Sequence, residues 1–472
     1  MVWTAVTTTV MLGFAAFSVD MGYTYLAQTE LQCSADAAAM AAASQLANAD
    51  DSSSETTLSI ARIYAGKNKV AGVSPTLEES DIVLGHATID SNNEATFEEG
   101  ATPSDAVKVT VRMTKDSPNG SIKLFFAKIL GVNEVELKAS AIAMLVPRDI
   151  AIVIDLSRSM NYDSQLRHES SGINIREVWE DLGSPTFGKM TTFTDGISGM
   201  IYNTTSDTTK VIQALGLSSV AYPYPKGSWT EYVKYVQGNS VNNGPAITSV
   251  TDSKKYKYYY GLRTFVNYLL SSRTLVSETP KLADTRTQPL YAVKEAVGCL
   301  CSYLTLMESG DHMSLHSYGD SSTSAQQHQT LTDDYTLITQ AVYDQQAGGY
   351  GPNTNISAGM QAGINELLSS RARSNAKKVI FLLTDGEANR PTDETYGKQA
   401  AINAAYTAED DSIQIYTISL GSESDQDIMA NIASIGKGVH YHVPILDISQ
   451  CEEDLKKVFR TLGGKRPVRL IG

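Results

Sequence analysis

The run AIVIDLSRS, residues 151–159, decides how the rest of the chain reads. Ala151 to Ile154 are apolar without a break, which suits a strand buried on both faces, and at Asp155 the run turns polar. Asp155, Ser157 and Ser159 then form D-x-S-x-S, whose alternation turns three oxygen-bearing side chains to one side of an extended turn. Downstream, strand and helix patterns alternate. PLYAVKEAVGCLCSYLTLM (289–307) is amphipathic and helical, and HMSLHSYG (312–319) reads as a strand. ISAGMQAGINELLSSRA (356–372) predicts a helix, KVIFLLTDGE (378–387) a strand, KQAAINAAYTA (398–408) a helix and IQIYTISLG (413–421) a strand. DQDIMANIAS (425–434) and CEEDLKKVFRTL (451–462) close as helices. Strands separated by helices imply parallel pairing, so residues 148–472 are expected to form an α/β domain. Its core is a doubly wound, mainly parallel sheet, with its site outside the carboxyl ends of the strands.

The candidate site residues all fall at such ends. Besides Asp155, Ser157 and Ser159, Thr354 lies in GGYGPNTNIS (348–357) ahead of a helix, and Asp385 lies in LLTDGE after a strand. Two carboxylates and three hydroxyls make an all-oxygen set that suits a hard cation, Mg²⁺ first and Mn²⁺ or Ca²⁺ as alternatives. So few anionic ligands leave coordination positions for water or an incoming carboxylate, which is chemistry for reversible capture. These motifs closely resemble the metal-ion-dependent adhesion site of von Willebrand A domains. The resemblance implies that the hydroxyls of Ser157, Ser159 and Thr354 approach the metal, with Asp155 and Asp385 acting directly or through water. It also places Gly386 in the tight turn after the second Asp, and implies a protein or surface ligand that presents a carboxylate.

The chain departs from that pattern in two places. Arg158 stands between the serines where many relatives carry Gly, and could crowd or electrostatically weaken the site. A larger departure is an insert at about 161–284, rich in Tyr, Ser, Thr, Gly and Asn, where most relatives begin their first helix soon after D-x-S-x-S. A segment of this length is expected to carry its own helix around Tyr258 to Leu270 and to pack beside the metal face. It serves either as a binding platform or as a packing elaboration.

The amino-terminal third is organised differently. VWTAVTTTVMLGFAAFSV (2–19) has no charged residue, and 18 residues at ~1.5 Å each give ~27 Å, just short of a hydrocarbon core of ~30 Å. It is expected to be a signal anchor, with a cleaved signal peptide or a buried core helix as the alternatives, its threonines returning their hydroxyls to the preceding helical turn. With no Lys or Arg before it, the charge rule assigns no orientation, and the true start is expected upstream of Met1. The helix should continue through MGYTYLAQTELQCSADAAAMAAASQLA to about Ala47, with a second short helix near Leu58 to Asn68. DIVLGHATID (81–90), EATFEEG (94–100), DAVKVTVRM (105–113) and VELKASAIAMLV (135–146) have strand periodicity, and SIKLFFAKILG (121–131) reads as a short amphipathic helix. The expected division is 1–48 for the anchor and Ala-rich helix, 49–147 for a small α+β domain and 148–472 for the larger domain.

Asp20, Gly22, Leu31, Gln32, Ala35, Asp36 and Ala37 to Ala39, together with KLFFAKILG and KASAIAML, are similar to the TadG-like proteins of the tight-adherence (Flp) pilus-assembly system. That resemblance covers roughly the first third. It implies a single-pass protein of a bacterial inner membrane or cell surface, its bulk outside the cytoplasm, with pilus-assembly components as partners. Asp36 and Gln32 are equally readable as a solvated helix face.

Composition narrows the remaining classes. Thirty-eight basic against 52 acidic residues leave a net charge of −14, which repels nucleic acid, so no nucleic-acid partner is expected. The four cysteines include no CxxC pair and are expected to be mostly buried apolar residues. His312 with His316, and His440 with His442, fall in strands and read as structural. No nucleophile elbow, P-loop or dinucleotide fingerprint follows a strand. An aspartyl-phosphate phosphatase would need a second acid two residues after Asp155, where Ser157 stands. The expectation is a binding protein rather than an enzyme: a tethered, metal-dependent adhesin or assembly factor, or else a structural, pilin-like component whose larger domain is a head.

Overall fold

Helix α1 (Val2–Leu46) begins the chain and has two unlike halves. From Trp3 to Val19 every described side chain is exposed except Ala16, which is half-buried. Beyond Asp20 the small residues Ala27, Ala35, Ala38 and Ala42, with Leu31, recur at helical spacing and are fully buried. The structure, a computed structural model, describes residues 2–47, 53–89, 94–162, 175–190, 199–241, 256–286, 289–320, 325–349, 351–421, 424–444 and 448–471. Among these, no helix is long and apolar enough to cross a membrane. The stretch expected to be a membrane helix is helical, as the first part of α1. Thr7 Oγ1 does donate to the Trp3 carbonyl at 2.9 Å, and Ser18 Oγ to that of Phe14 at 2.8 Å, which satisfies these hydroxyls within the helix.

Helix α2 (Ser54–Lys67) packs along α1, its amino end capped by Ser53 Oγ, which accepts from Thr56 N at 3.2 Å. Strands β1 (Ile82–Ile89), β2 (Ala95–Glu99) and β3 (Ala106–Met113) follow, then two-residue β4 (Ile122–Lys123) and β5 (Glu134–Val135), then β6 (Leu137–Leu145). The buried half of α1 lies across β3 and β6. SIKLFFAKILG is not the amphipathic helix its pattern predicts. Ile122–Lys123 pair with Glu134–Val135, and only Ala127–Leu130 wind into a 3₁₀ turn, ended by Gly131 at φ 86°. The cause is Asp20, whose carboxylate accepts the backbone N–H groups of Phe125, Phe126 and Ala127 at 2.8, 2.9 and 2.5 Å. Donors committed there do not enter an α-helical ladder.

Val146 and Pro147 alone separate β6 from β7 (Arg148–Asp155), whose eight residues are all buried. Helix α3 (Ser159–Tyr162) starts the insert, which continues through α4 (Ile175–Asp181), β8 (Ile201–Tyr202), α5 (Thr208–Ala214), α6 (Trp229–Val236), β9 (Tyr259–Tyr260) and α7 (Leu262–Ser272). Insert residues 163–174, 191–198 and 242–255 lie outside the described residues. The expected helix is α7, and every one of its residues is buried. Phe265 is the hub, with Phe187, Tyr232 and Trp229 rings at 5.1, 5.3 and 5.4 Å. Tyr232, Tyr235, Tyr256, Tyr260 and Tyr268 are buried in the same cluster, so these tyrosines build a core of the insert's own rather than an exposed contact surface.

The remaining elements are α8 (Pro289–Leu306), β10 (His312–Tyr318), β11 (Gln326–Thr332), α9 (Tyr335–Tyr343), α10 (Ile356–Leu367), β12 (Lys377–Thr384), α11 (Glu394–Asp410), β13 (Gln414–Leu420), α12 (Gln426–Ile435), β14 (His440–Val443), α13 (Ile448–Gly464) and β15 (Val468–Leu470). The large sheet has the order β11-β10-β7-β12-β13-β14, parallel throughout except for β11 on one edge. Strand alternation divides its core. Ile150, Ile152 and Ile154 face α8, α9 and α13, while Ala151 and Val153 face α10, α11 and α12. Gly359 permits that second layer to close, since a Cβ there would meet the Tyr318 ring at 2.3 Å.

Strand β15 corrects the expected division, which gave everything from 148 to 472 to the larger domain. It pairs antiparallel with β6, Val468 opposite Leu145, and completes a five-stranded sheet β15-β6-β3-β1-β2 in the amino-terminal domain. Three residues at the end of a chain carry too little pattern to predict a strand. The cysteines also differ in part from expectation: Cys301 and Cys451 are buried, Cys299 is half-buried and Cys33 is exposed.

Candidate metal centre

Parallel pairing brings the five candidate residues to one edge of the sheet. Asp155 ends β7, and β12 alongside it ends at Thr384, immediately before Asp385. Thr354 precedes Asn355, the N-cap of α10, whose side chain accepts from Ala358 N at 3.2 Å. Ser159 is the first residue of α3. The Ser157 and Ser159 hydroxyls lie 3.0 Å apart, and Ser159 Oγ donates to Asp385 Oδ1 at 2.7 Å. Gly386 connects the last member: a Cβ on it would stand 3.2 Å from Thr354 Oγ1 and 3.7 Å from Ser159 Oγ. Asp155, Ser157, Thr354 and Asp385 are buried, while Ser159 and Arg158 are half-buried.

Asp155 is held from several sides. Oδ1 accepts Ser157 N at 2.8 Å and Oδ2 accepts the Thr384 hydroxyl at 2.8 Å. Burial nonetheless pushes its pKa up to about 6, against these hydrogen bonds, which favour the ionised form. A cation beside it would reverse that burial penalty. Among the described residues no three His, Cys, Asp or Glu side chains cluster as a metal site, so the donor set here is two carboxylates and three hydroxyls. That set fits a hard cation with free coordination positions.

Three supporting residues were not singled out from the sequence. Thr384 anchors Asp155. Asn389 Oδ1 accepts the Thr354 N–H at 2.9 Å, and Asn389 N donates to the Thr354 carbonyl at 3.2 Å, so the two loops are tied together. Tyr318 donates to the Leu383 carbonyl at 2.7 Å, which clamps β10 to β12 across the end of β7. Only the Thr preceding Asp385 was open to inspection; Asn389 and Tyr318 depend on the fold. The histidines take no part: His316 bonds Ser314 at 3.0 Å, and His440 and His442 bond Thr417 and Ser419.

The insert borders this edge. Helix α7 packs on α3, and a Cβ on Gly349, in the loop that carries Thr354, would come within 2.5 Å of Leu275.

Comparisons with known proteins match three stretches of the chain. Residues 1–45 match the family model for Flp pilus-assembly TadE/G-like proteins, and residues 32–143 match that for Tad-like Flp pilus assembly. Residues 283–453 match the von Willebrand factor type A domain, a span that begins after the insert and therefore holds Thr354 and Asp385 but not Asp155, Ser157 or Ser159. No curated protein matches the chain. Among solved structures, a von Willebrand factor type A protein from Catenulispora acidiphila is 18% identical, over 36% of this chain and 38% of its own, at a TM-score of 0.28. The pilus adhesin SpaC from Lactobacillus rhamnosus GG is 10% identical, over 83% of this chain and 36% of its own, at 0.34. The manganese-loaded TRAP protein of Plasmodium vivax is 10% identical, over 70% and 78%, at 0.29. The chain thus spans little more than a third of the first two. Its family matches support a pilus or adhesion role in the cell envelope. Residues 1–143 thus match TadE/G-like and Tad-like Flp pilus-assembly models, and residues 283–453 match the von Willebrand factor type A domain.

Proposed function

We propose that this protein is a membrane-anchored, non-enzymatic binding protein in which Asp155, Ser157, Ser159, Thr354 and Asp385 hold Mg²⁺, with Mn²⁺ or Ca²⁺ as alternatives. A cation held there would offer a coordination position to a carboxylate on a protein or surface ligand during pilus assembly or adherence. The observation that carries this reading is the convergence of three hydroxyls and two carboxylates at one sheet edge, joined by the 3.0 Å and 2.7 Å contacts through Ser159. The cation supplies a coordination position for the ligand. The chain's own part is to keep the donors apart from competing water and in one geometry, through Thr384, Asn389 and the close approach at Gly386. Residues 2–19 serve as the anchor, with the bulk of the chain outside the cytoplasm.

A cation bound only by the folded state stabilises it by mass action, by roughly 2.7 kcal/mol at a hundredfold excess over Kd. Mg²⁺ or Mn²⁺ should therefore raise the melting temperature of the full chain, and Asp155→Ala should abolish that response while leaving a folded protein. An unchanged metal response in Asp155→Ala would remove the assignment. For the anchor, release of the full-length protein by carbonate washing of membranes would do the same.

A further inference from the structure

We infer that the loop from Phe125 to Val132 is a membrane-seating collar around α1, held in place by Asp20. This rests on the anchor proposed for residues 2–19 and adds a second membrane contact to it. Phe125, Phe126, Ile129 and Val132 are exposed, Ile129 at 79%, on a loop whose three backbone N–H groups are bound by Asp20. Asp20 is the first acidic residue of the chain, at the end of the uncharged stretch. It thus fixes the collar at the level where α1 would leave the hydrocarbon.

On the helix side, Phe17, Met21, Tyr25 and Leu26 are also exposed. Tyr23 stacks obliquely on Phe125 with ring centroids 4.9 Å apart. Between helix and loop runs an apolar groove of about 460 Å³, lined by Phe17, Met21, Tyr25, Leu124, Val132 and Leu137 among others. From Phe17 to Tyr25 the helix rises only about 12 Å, so groove, collar and anchor form one continuous apolar surface.

One observation favours a bilayer over a partner protein as the occupant. Apart from half-buried Ala16, the described side chains of residues 3–19 are exposed, over more than half of the helix circumference, so apolar surroundings must come from several sides, which lipid provides and one docked helix does not. Tyr25, with an apolar ring and a polar hydroxyl, suits the interface between hydrocarbon and water, and Phe125 and Phe126 suit the hydrocarbon beside it.

The test uses the full chain reconstituted in phosphatidylcholine vesicles, with ordinary or brominated acyl chains, bromine quenching tryptophan only at contact depth. Trp3 reports the anchor. A second protein carrying Trp3→Phe and Ile129→Trp reports the collar, and Trp179 and Trp229 give the same background in both. Both reporters should lose emission in brominated vesicles, and adding Asp20→Ala should restore emission at position 129 while Trp3 in an Asp20→Ala single variant stays quenched. Quenching of Trp3 with none at position 129 would overturn the collar and leave the anchor standing. No quenching of Trp3 would overturn the anchor, and the collar with it. A blue shift at position 129 that bromine leaves unquenched and that grows with protein-to-lipid ratio would assign the surface to a second copy instead.

Discussion

Lys294 on α8 donates to the carbonyls of Ala283 at 2.8 Å and Tyr343 at 3.0 Å, joining the end of the insert to the end of α9. Burial pushes its pKa down to about 8, against an unfolded value near 10.4. Between these values the native state binds fewer protons than the unfolded state, so this group makes stability rise with pH from about 8 toward 10. Urea midpoints at pH 7.5 and 9.5 should show that rise, and Lys294→Met should flatten it; an equal rise in the variant would refute the assignment. Gly386 yields a second prediction at this scale. In Gly386→Val the branched side chain meets Thr354 Oγ1 and Ser159 Oγ, so the Mg²⁺ response should weaken several-fold while the metal-free melting temperature changes little. The five candidate ligands were legible one by one, because D-x-S-x-S, GGYGPNTNIS and LLTDGE are local patterns. Asn389 was not, since nothing in its neighbourhood distinguishes it from any other polar loop residue.

The elements depend on one another through buried polar groups. Arg148, at the start of β7, donates to Asp311 Oδ2 from Nη2 at 2.6 Å and to the carbonyls of Leu462, Gly463 and Lys465 at 2.7, 2.9 and 3.2 Å. It thereby satisfies the carboxyl end of α13, where helical carbonyls lack intrahelical partners and favour a cation. Both Arg148 and Asp311 are buried, so removing one leaves an uncompensated charge. Asp311→Ala should cost about 3–5 kcal/mol in chemical denaturation. A loss below 1 kcal/mol would show that the helix carbonyls alone hold the guanidinium. Long periodic elements such as α1, α8 and α11 were legible from pattern. The segment 121–131 was misread because its apolar spacing is helical while its backbone donors are taken by Asp20, more than a hundred positions earlier.

At the scale of the molecule, the chain crosses between its two large sheets twice. It passes from β6 to β7 over two residues, and returns from α13 to β15, which lies on β6. The two domains are therefore expected to melt together in scanning calorimetry. Truncation after Gly464 should uncouple them, because β6 then becomes an open edge and one of the two crossings is lost. The expected result is two transitions, the lower from the amino-terminal sheet; a single transition at the parent temperature would count against the coupling.

Sequence alone determined most of the long strands and helices outside the insert, the mainly parallel character of the large sheet and the choice of candidate ligands. All of these are written in periodicities of 2 and 3.6 residues and in short motifs. Tertiary structure decided what those patterns leave open: that Ser159, Thr354 and Asp385 share one edge despite a long insert, and that Tyr232, Tyr235, Tyr256, Tyr260 and Tyr268 of the insert are core. It also decided that Asp20 commands a loop, and that the last strand belongs to the first domain. The reason is the same in each case. A backbone donor, a buried charge or a strand edge is satisfied by whichever partner the fold brings within about 3 Å, and sequence separation carries no information about that partner.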